Sequence, residues 1–214
     1  MRSKRRPSSS SISRTRRRPV TGPVWRDQPP QQKCPGTHRP GRAAGSVAEV
    51  ADAALPSWRD VELGAPELAR LGMARLTSAR VALLGTLRRD GSPRISPIEP
   101  YFAEGQLLIG AMAWTGKASD LRRDPRYVLH SAVTSPDSGE GELKLNGPAA
   151  EAGPDLRAAA AGAWWLAWAP DKAAVFTLHI RKAVFVDWDI NRGLMTIHRW
   201  SPASGYTVTS RPYP

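Results

Sequence analysis

From residue 79 to about residue 200 the chain runs in short apolar stretches separated by turn residues. Residues 81–88 (VALLGTLR) are apolar and bounded by turn formers, as a buried strand should be. Asp90-Gly91 marks a hairpin, because glycine supplies the positive φ that a tight turn needs. The next stretch, 92–102, contains Pro93, Pro97 and Pro100, and each proline removes a ladder donor. That strand is expected to be bulged or to lie at a sheet edge. Glu104-Gly105 turns the chain into a third strand over 106–113, where Gly110 and Ala111 leave room for a close approach to the backbone. Residues 126–133 and 142–151 predict two more strands, with a polar loop at 134–141 between them. Residues 175–181, 183–190 and 194–200 predict three closing strands, the last turn falling at Asn191-Arg192-Gly193. About eight strands with a few short helices make the chain mainly β. An antiparallel β-barrel is the economical architecture, since closure removes exposed edges.

The helical pattern is sparser. Residues 67–76 (ELARLGMARL) place Leu68, Leu71, Met73 and Leu76 mostly at helical spacings, behind a proline suited to a first turn. This helix is expected to cover one mouth of the barrel. The alanine-rich residues 155–168 predict a second helix with Trp164, Trp165 and Trp168 near its end. Such a cluster reads as core or dimer-interface packing rather than a ligand-stacking site. Residues 201–214 read as a loose end.

Charge changes the picture at one end only. The 214 residues carry a formal net charge of +12, yet residues 1–46 hold 12 of the 31 Lys and Arg against one acid, Asp27. Residues 47–214 are close to neutral, with 19 bases and 18 acids. The first 46 residues, rich in Arg, Ser and Pro, cannot bury enough apolar surface to offset ordering entropy, so a disordered basic tail is expected. It reads as a solvated arm, or as upstream sequence translated from an early start codon, more readily than as a nucleic-acid binder. Residues 47–78 then form an N-terminal helical segment, 79–202 the barrel domain, and 203–214 the loose end. The single Cys34 excludes an intrachain disulfide and a cysteine-based zinc site, and fits a reducing, cytoplasmic setting. No apolar run is long enough to span a membrane as a helix.

The candidate chemistry lies after the third strand, at Trp114-Thr115-Gly116-Lys117-Ala118-Ser119-Asp120. A helix beginning near Lys117 points free N–H groups and its positive dipole end at the preceding loop. With the Lys117 ammonium and the hydroxyls of Thr115 and Ser119, this is a reasonable site for a monophosphate. The spacing is not that of a P-loop. The four histidines are scattered over the tail and three predicted strands and read as structural or surface residues.

Taken together, LLGTLRRDGSPRISPIEPYF, the KASDLRRDP turn, GELKLNGPAAE and the closing IHRWSP resemble the pyridoxamine 5'-phosphate oxidase-like family, the FMN-binding split barrels. The resemblance covers about residues 58–202. It implies a homodimer that holds FMN in two grooves at the subunit interface and acts as an oxidoreductase on a small molecule. It places Arg94, Ser96 and Pro97 beside the ring and ribityl chain, and Ala111, Met112 and Trp114 along the flavin. Thr115 and Lys117 hold the phosphate. Lys144 approaches from the partner chain, and Trp200 closes the site. A deazaflavin coenzyme in the same groove, or flavin binding without turnover, are the alternative readings. Family members often carry Arg just before the phosphate-binding Lys, where this chain has Gly116. Unless another arginine substitutes, phosphate binding weakens by roughly 1.5–3 kcal/mol. Glu99 adds unfavourable charge if it faces the phosphate. The arginine-rich C-terminal signature of the true oxidases is absent, so pyridoxamine phosphate is not the expected substrate.

Overall fold

The computed structural model describes residues 55–133 and 139–212. The basic segment 1–46 and most of the loop expected at 134–141 therefore lie outside the described residues. The first elements are two helices, α1 (Trp58–Gly64) and α2 (Pro66–Ala79). Ser57 caps α1 through a capping box: its side chain accepts from the Asp60 N–H, and the Asp60 carboxylate accepts from the Ser57 N–H. Pro66 opens α2, whose buried face of Leu68, Ala69, Gly72 and Leu76 lies on the sheet.

Ten strands follow: β1 (Ala82–Leu87), β2 (Pro93–Ile98), β3 (Pro100–Ala103), β4 (Gln106–Met112), β5 (Arg126–Ser131), β6 (Glu142–Glu151), β7 (Ala173–Leu178), β8 (Lys182–Asp189), β9 (Leu194–Ser201) and β10 (Gly205–Pro212). Their main path runs β10-β9-β8-β6-β5-β1-β2, and β7, β4 and β3 branch from β6. The long β6 serves both parts. Its first half pairs with β8, and its last residues, Ala149 to Glu151, pair with β7. The switch is made at Gly147, where a Cβ would stand 2.0 Å from the His179 carbonyl oxygen. Only glycine lets the chain between β7 and β8 cross there. The sheet thus curls into a barrel that is open where β2 faces β4, a split β-barrel.

The proline-rich strand behaves as expected at an edge but breaks rather than bulges. Glu99 interrupts it, and β3 continues against β4. The Arg88 N–H donates to the Ser92 carbonyl, and Thr86 and Arg94 are partners in the ladder. Alternation from there turns the backbones of Arg94, Ser96 and Ile98 toward β1, and those of Pro93, Ile95 and Pro97 toward the open edge. The missing proline donors therefore cost no ladder bonds.

Two expectations need correction. The helix predicted over 155–168 is a short helix α4 (Pro154–Ala159) followed by a 3-10 turn, Trp164–Ala167, because Gly162 enters the left-handed region at φ +77°. The loose end predicted after residue 201 is instead β10, paired antiparallel along the whole of β9. A large core of α1, α2 and the inner sheet face includes Trp58, Leu84, Leu143 and Phe185. A smaller one packs Trp165, Leu108 and Val175 beneath the segment carrying α4. Trp165 explains Gly110: a Cβ there would lie 2.3 Å from its ring. Gly110→Val is expected to destabilise the fold by about 1–3 kcal/mol through overpacking, read by urea denaturation.

Candidate functional site

A helix, α3 (Gly116–Arg123), follows β4 and buries Ala118 and Leu121 in the main core, and beside it the seam between β2 and β4 leaves a cleft of about 330 Å³. Its walls include Pro97 and Ile98 from β2, and Gly110, Ala111 and Met112 from β4. Val81, Glu99, Lys117 and Trp164 complete the lining. A volume of this order is within the range of small-molecule sites. The Lys117 ammonium donates to the Pro97 carbonyl across the seam at 3.0 Å. Pro97 offers no N–H to repel the ammonium on that edge. Lys117 is half-buried, and burial lowers its pKa from the ordinary value.

The first turn of α3 has no side-chain cap, and the N–H groups of Gly116, Lys117 and Ala118 find no partner among the described residues. Thr115 stands at the N-cap, but its hydroxyl donates to the Met112 carbonyl at 2.7 Å and so shapes the turn. Ser119 is exposed on the helix. At position 116, where the resemblance leads one to expect arginine, the guanidinium of Arg94 on β2 comes close instead. A Cβ on Gly116 would lie 2.7 Å from an Arg94 Nη, so glycine there is what lets the Arg94 guanidinium reach the helix start.

Arg94 is held by Asp120. Its Nε donates to an Asp120 oxygen at 2.7 Å, and the same carboxylate accepts from the Thr86 hydroxyl at 3.0 Å and from Arg123 at 3.3 Å. Asp120 is buried, which alone raises a carboxyl pKa. The donors from Arg94, Thr86 and Arg123 outweigh burial and hold it below the usual range. Arg94, Lys117 and Arg123 thus exceed the single carboxylate in charge, and two cations plus free N–H groups converge on the start of α3. This donor set fits a monophosphate dianion.

Of the residues expected from sequence, Pro97, Ala111, Met112 and Lys117 line the cleft, and Arg94 and Thr115 stand at the start of α3. Ser96 lies half-buried between Arg94 and Ile98 on the inward face of β2. Trp114 is 64% exposed and stacks on Trp168 outside the cleft, with ring centroids 6.0 Å apart. Lys144 lies on β6 away from this cleft, its ammonium on Glu142, a carboxylate that His130 also meets at 3.2 Å. Trp200 is a core residue and does not border the cleft: it fills the slot left by Gly64, where a Cβ would be 2.4 Å from the indole nitrogen. Thr86 and Asp120 carried no motif of their own. The available signal was an aspartate set among the arginines of KASDLRRDP, five residues after the N-cap.

No family model and no curated protein sequence matches this chain. Solved structures do. PhzG from Burkholderia lata 383, determined with tetrahydrophenazine-1-carboxylic acid, aligns with a TM-score of 0.50 at 15% identity over 75% of this chain and 98% of that one. A pyridoxamine 5'-phosphate oxidase-related, FMN-binding protein from Nostoc punctiforme aligns with a TM-score of 0.48 at 14% identity, over 69% and 95%. A heme-binding protein from Mycobacterium smegmatis aligns with a TM-score of 0.46 at 15% identity, over 67% and 88%. The fold is the split barrel of the pyridoxamine 5'-phosphate oxidase-like proteins. Among the described residues, no helix is long and apolar enough to cross a membrane.

Proposed function

We propose that this protein binds FMN in the seam between β2, β4 and α3 and works as a flavin-dependent oxidoreductase on a small molecule. The observation that carries the reading is the convergence of Lys117, Arg94 and the uncapped start of α3 beside a cleft walled by Pro97, Ile98, Ala111 and Met112. A flavin, when bound, supplies the hydride and electron chemistry, and the protein supplies position and electrostatics. Here Lys117 and Arg94 would hold the phosphate, while Pro97, Ala111 and Met112 would flank the ring system. Apolar walls keep water from the reacting face.

The reading includes a homodimer. On the outward face of β2, β1 and β5, Leu83, Ile95 and Val128 are 43%, 73% and 53% exposed around a depression of about 530 Å³. Three large apolar side chains together on one sheet face favour burial against another surface, and a second copy presents the same patch. Ile95→Glu is expected to turn a sedimenting dimer into a monomer with an unchanged far-ultraviolet spectrum. A wild-type monomer at micromolar concentration removes the shared groove.

The deciding experiment is the absorption spectrum of the purified protein, followed by anaerobic NAD(P)H. A two-banded yellow spectrum bleached by the reductant supports the proposal. A single-banded spectrum assigns a deazaflavin instead, and a flavin that no donor reduces assigns a binding protein. Failure to take up either cofactor on reconstitution overturns the reading.

A further inference from the structure

A second cleft, of about 660 Å³, adjoins the first. Glu99 lines both, at the break between β2 and β3, and the two walls meet again where Arg80 of one cleft precedes Val81 of the other. Arg80 closes α2 in the left-handed region at φ +60°, a conformation that favours glycine. An arginine kept at such a position, where glycine is unstrained, points to a use for its side chain. Among the described residues the Arg80 guanidinium has no hydrogen-bond or ion-pair partner. Glu99 lines the same cleft and accepts only the Tyr101 hydroxyl, at 3.3 Å. The two opposite charges therefore share one cavity without bridging each other. Both are exposed at its surface, and the wall also carries Met73 and Phe102, each half-buried.

We propose that this second cleft is the substrate compartment and that it receives a zwitterion of the α-amino-acid kind with an apolar side chain. Arg80 takes the carboxylate as a two-pronged donor, Glu99 takes the ammonium, and Met73 and Phe102 meet the side chain. One cation and one anion suit a ligand of no net charge. Because Glu99 borders both clefts, the amino end of the bound molecule lies next to the cofactor cleft. That the molecule is a substrate rests on the oxidoreductase reading above; its binding does not.

The test is calorimetric titration of the full chain with the common apolar L-amino acids at millimolar concentration, and with the deaminated and decarboxylated forms of any that bind. At least one amino acid is expected to bind, with each truncated analogue weaker by about tenfold or more. Arg80→Gly is expected to raise the melting temperature while weakening the amino acid and leaving the amine analogue unchanged. Glu99→Gln is expected to weaken the amine and spare the acid. Binding by no apolar amino acid, equal binding of both analogues and parent, or an Arg80→Gly variant with unchanged affinity each overturns the proposal. Flavin uptake, read separately by absorbance, distinguishes the two readings. Amino-acid binding without flavin uptake removes the oxidoreductase and keeps the zwitterion site, whereas flavin uptake without amino-acid binding does the reverse.

Discussion

Lys117→Ala is expected to lower FMN affinity by roughly ten- to a hundredfold and to leave the barrel folded. The ammonium sits at the start of α3, where it adds a full charge to unpaired N–H groups, and a hydrogen bond to a charged group contributes about 1.5–3 kcal/mol. Its structural role is smaller. The bond to the Pro97 carbonyl crosses an open seam, and its loss costs about 1 kcal/mol in folding stability. Quenching of flavin fluorescence reports the affinity and a circular-dichroism melt the stability. Unchanged FMN binding in a folded variant removes the phosphate assignment.

The barrel strands were legible because most are short runs rich in apolar residues, with burial alternating in β1 and β5 and continuous in β7, and turn residues separate them. The ten residues of β6 match the expectation without adjustment. What escaped was structure whose cause is not periodic. β10 has almost all its side chains in solvent, so GYTVTSRP carries no apolar face to mark it, and it is held by backbone pairing to β9. The start of α1 is marked in the sequence by Ser57 and Asp60 at capping-box spacing, but its seven residues are too few to show a period. The helix that the alanines favour stops at Ala159, and Gly162, free to take a positive φ, turns the chain instead.

Within the site, the single-chain part of the motif was readable and the through-space part was not. Gly116 looked like the loss of a phosphate ligand. The structure makes it the gap through which Arg94 reaches the same helix start, a juxtaposition set by the β1–β2 register and by Asp120. Gly110 likewise suggested a close approach, and the approaching group is Trp165 from beyond α4, more than fifty positions later. Trp200 has the chemistry of a site residue, but pairing with Ala183 turns it to the inward face of β9. Side-chain type predicts capability, and register decides where it is spent.

That register makes Arg94 the residue on which binding and folding depend together. Arg94→Met is expected to lower flavin affinity by about tenfold or more and to destabilise the fold by about 1–3 kcal/mol at neutral pH. The two losses have one origin. Asp120 is buried with its carboxylate satisfied by Arg94, Thr86 and Arg123, and removing Arg94 leaves a buried charge underpaired. The pH dependence separates this cause from a packing defect. The folded pKa of Asp120 is depressed, so its contribution is complete above the unfolded value of about 3.9 and is lost as pH falls through the lower folded value. In Arg94→Met the folded pKa rises toward the unfolded one, because a major donor to the charged form is gone. The stability gap between wild type and variant is therefore greatest at neutral pH and narrows in acid below that value. Melting temperatures of the two proteins across the acid range measure the gap directly. A gap that stays constant with pH assigns the destabilisation to lost packing of the arginine stem and dissociates Asp120 from the cofactor end of the cleft.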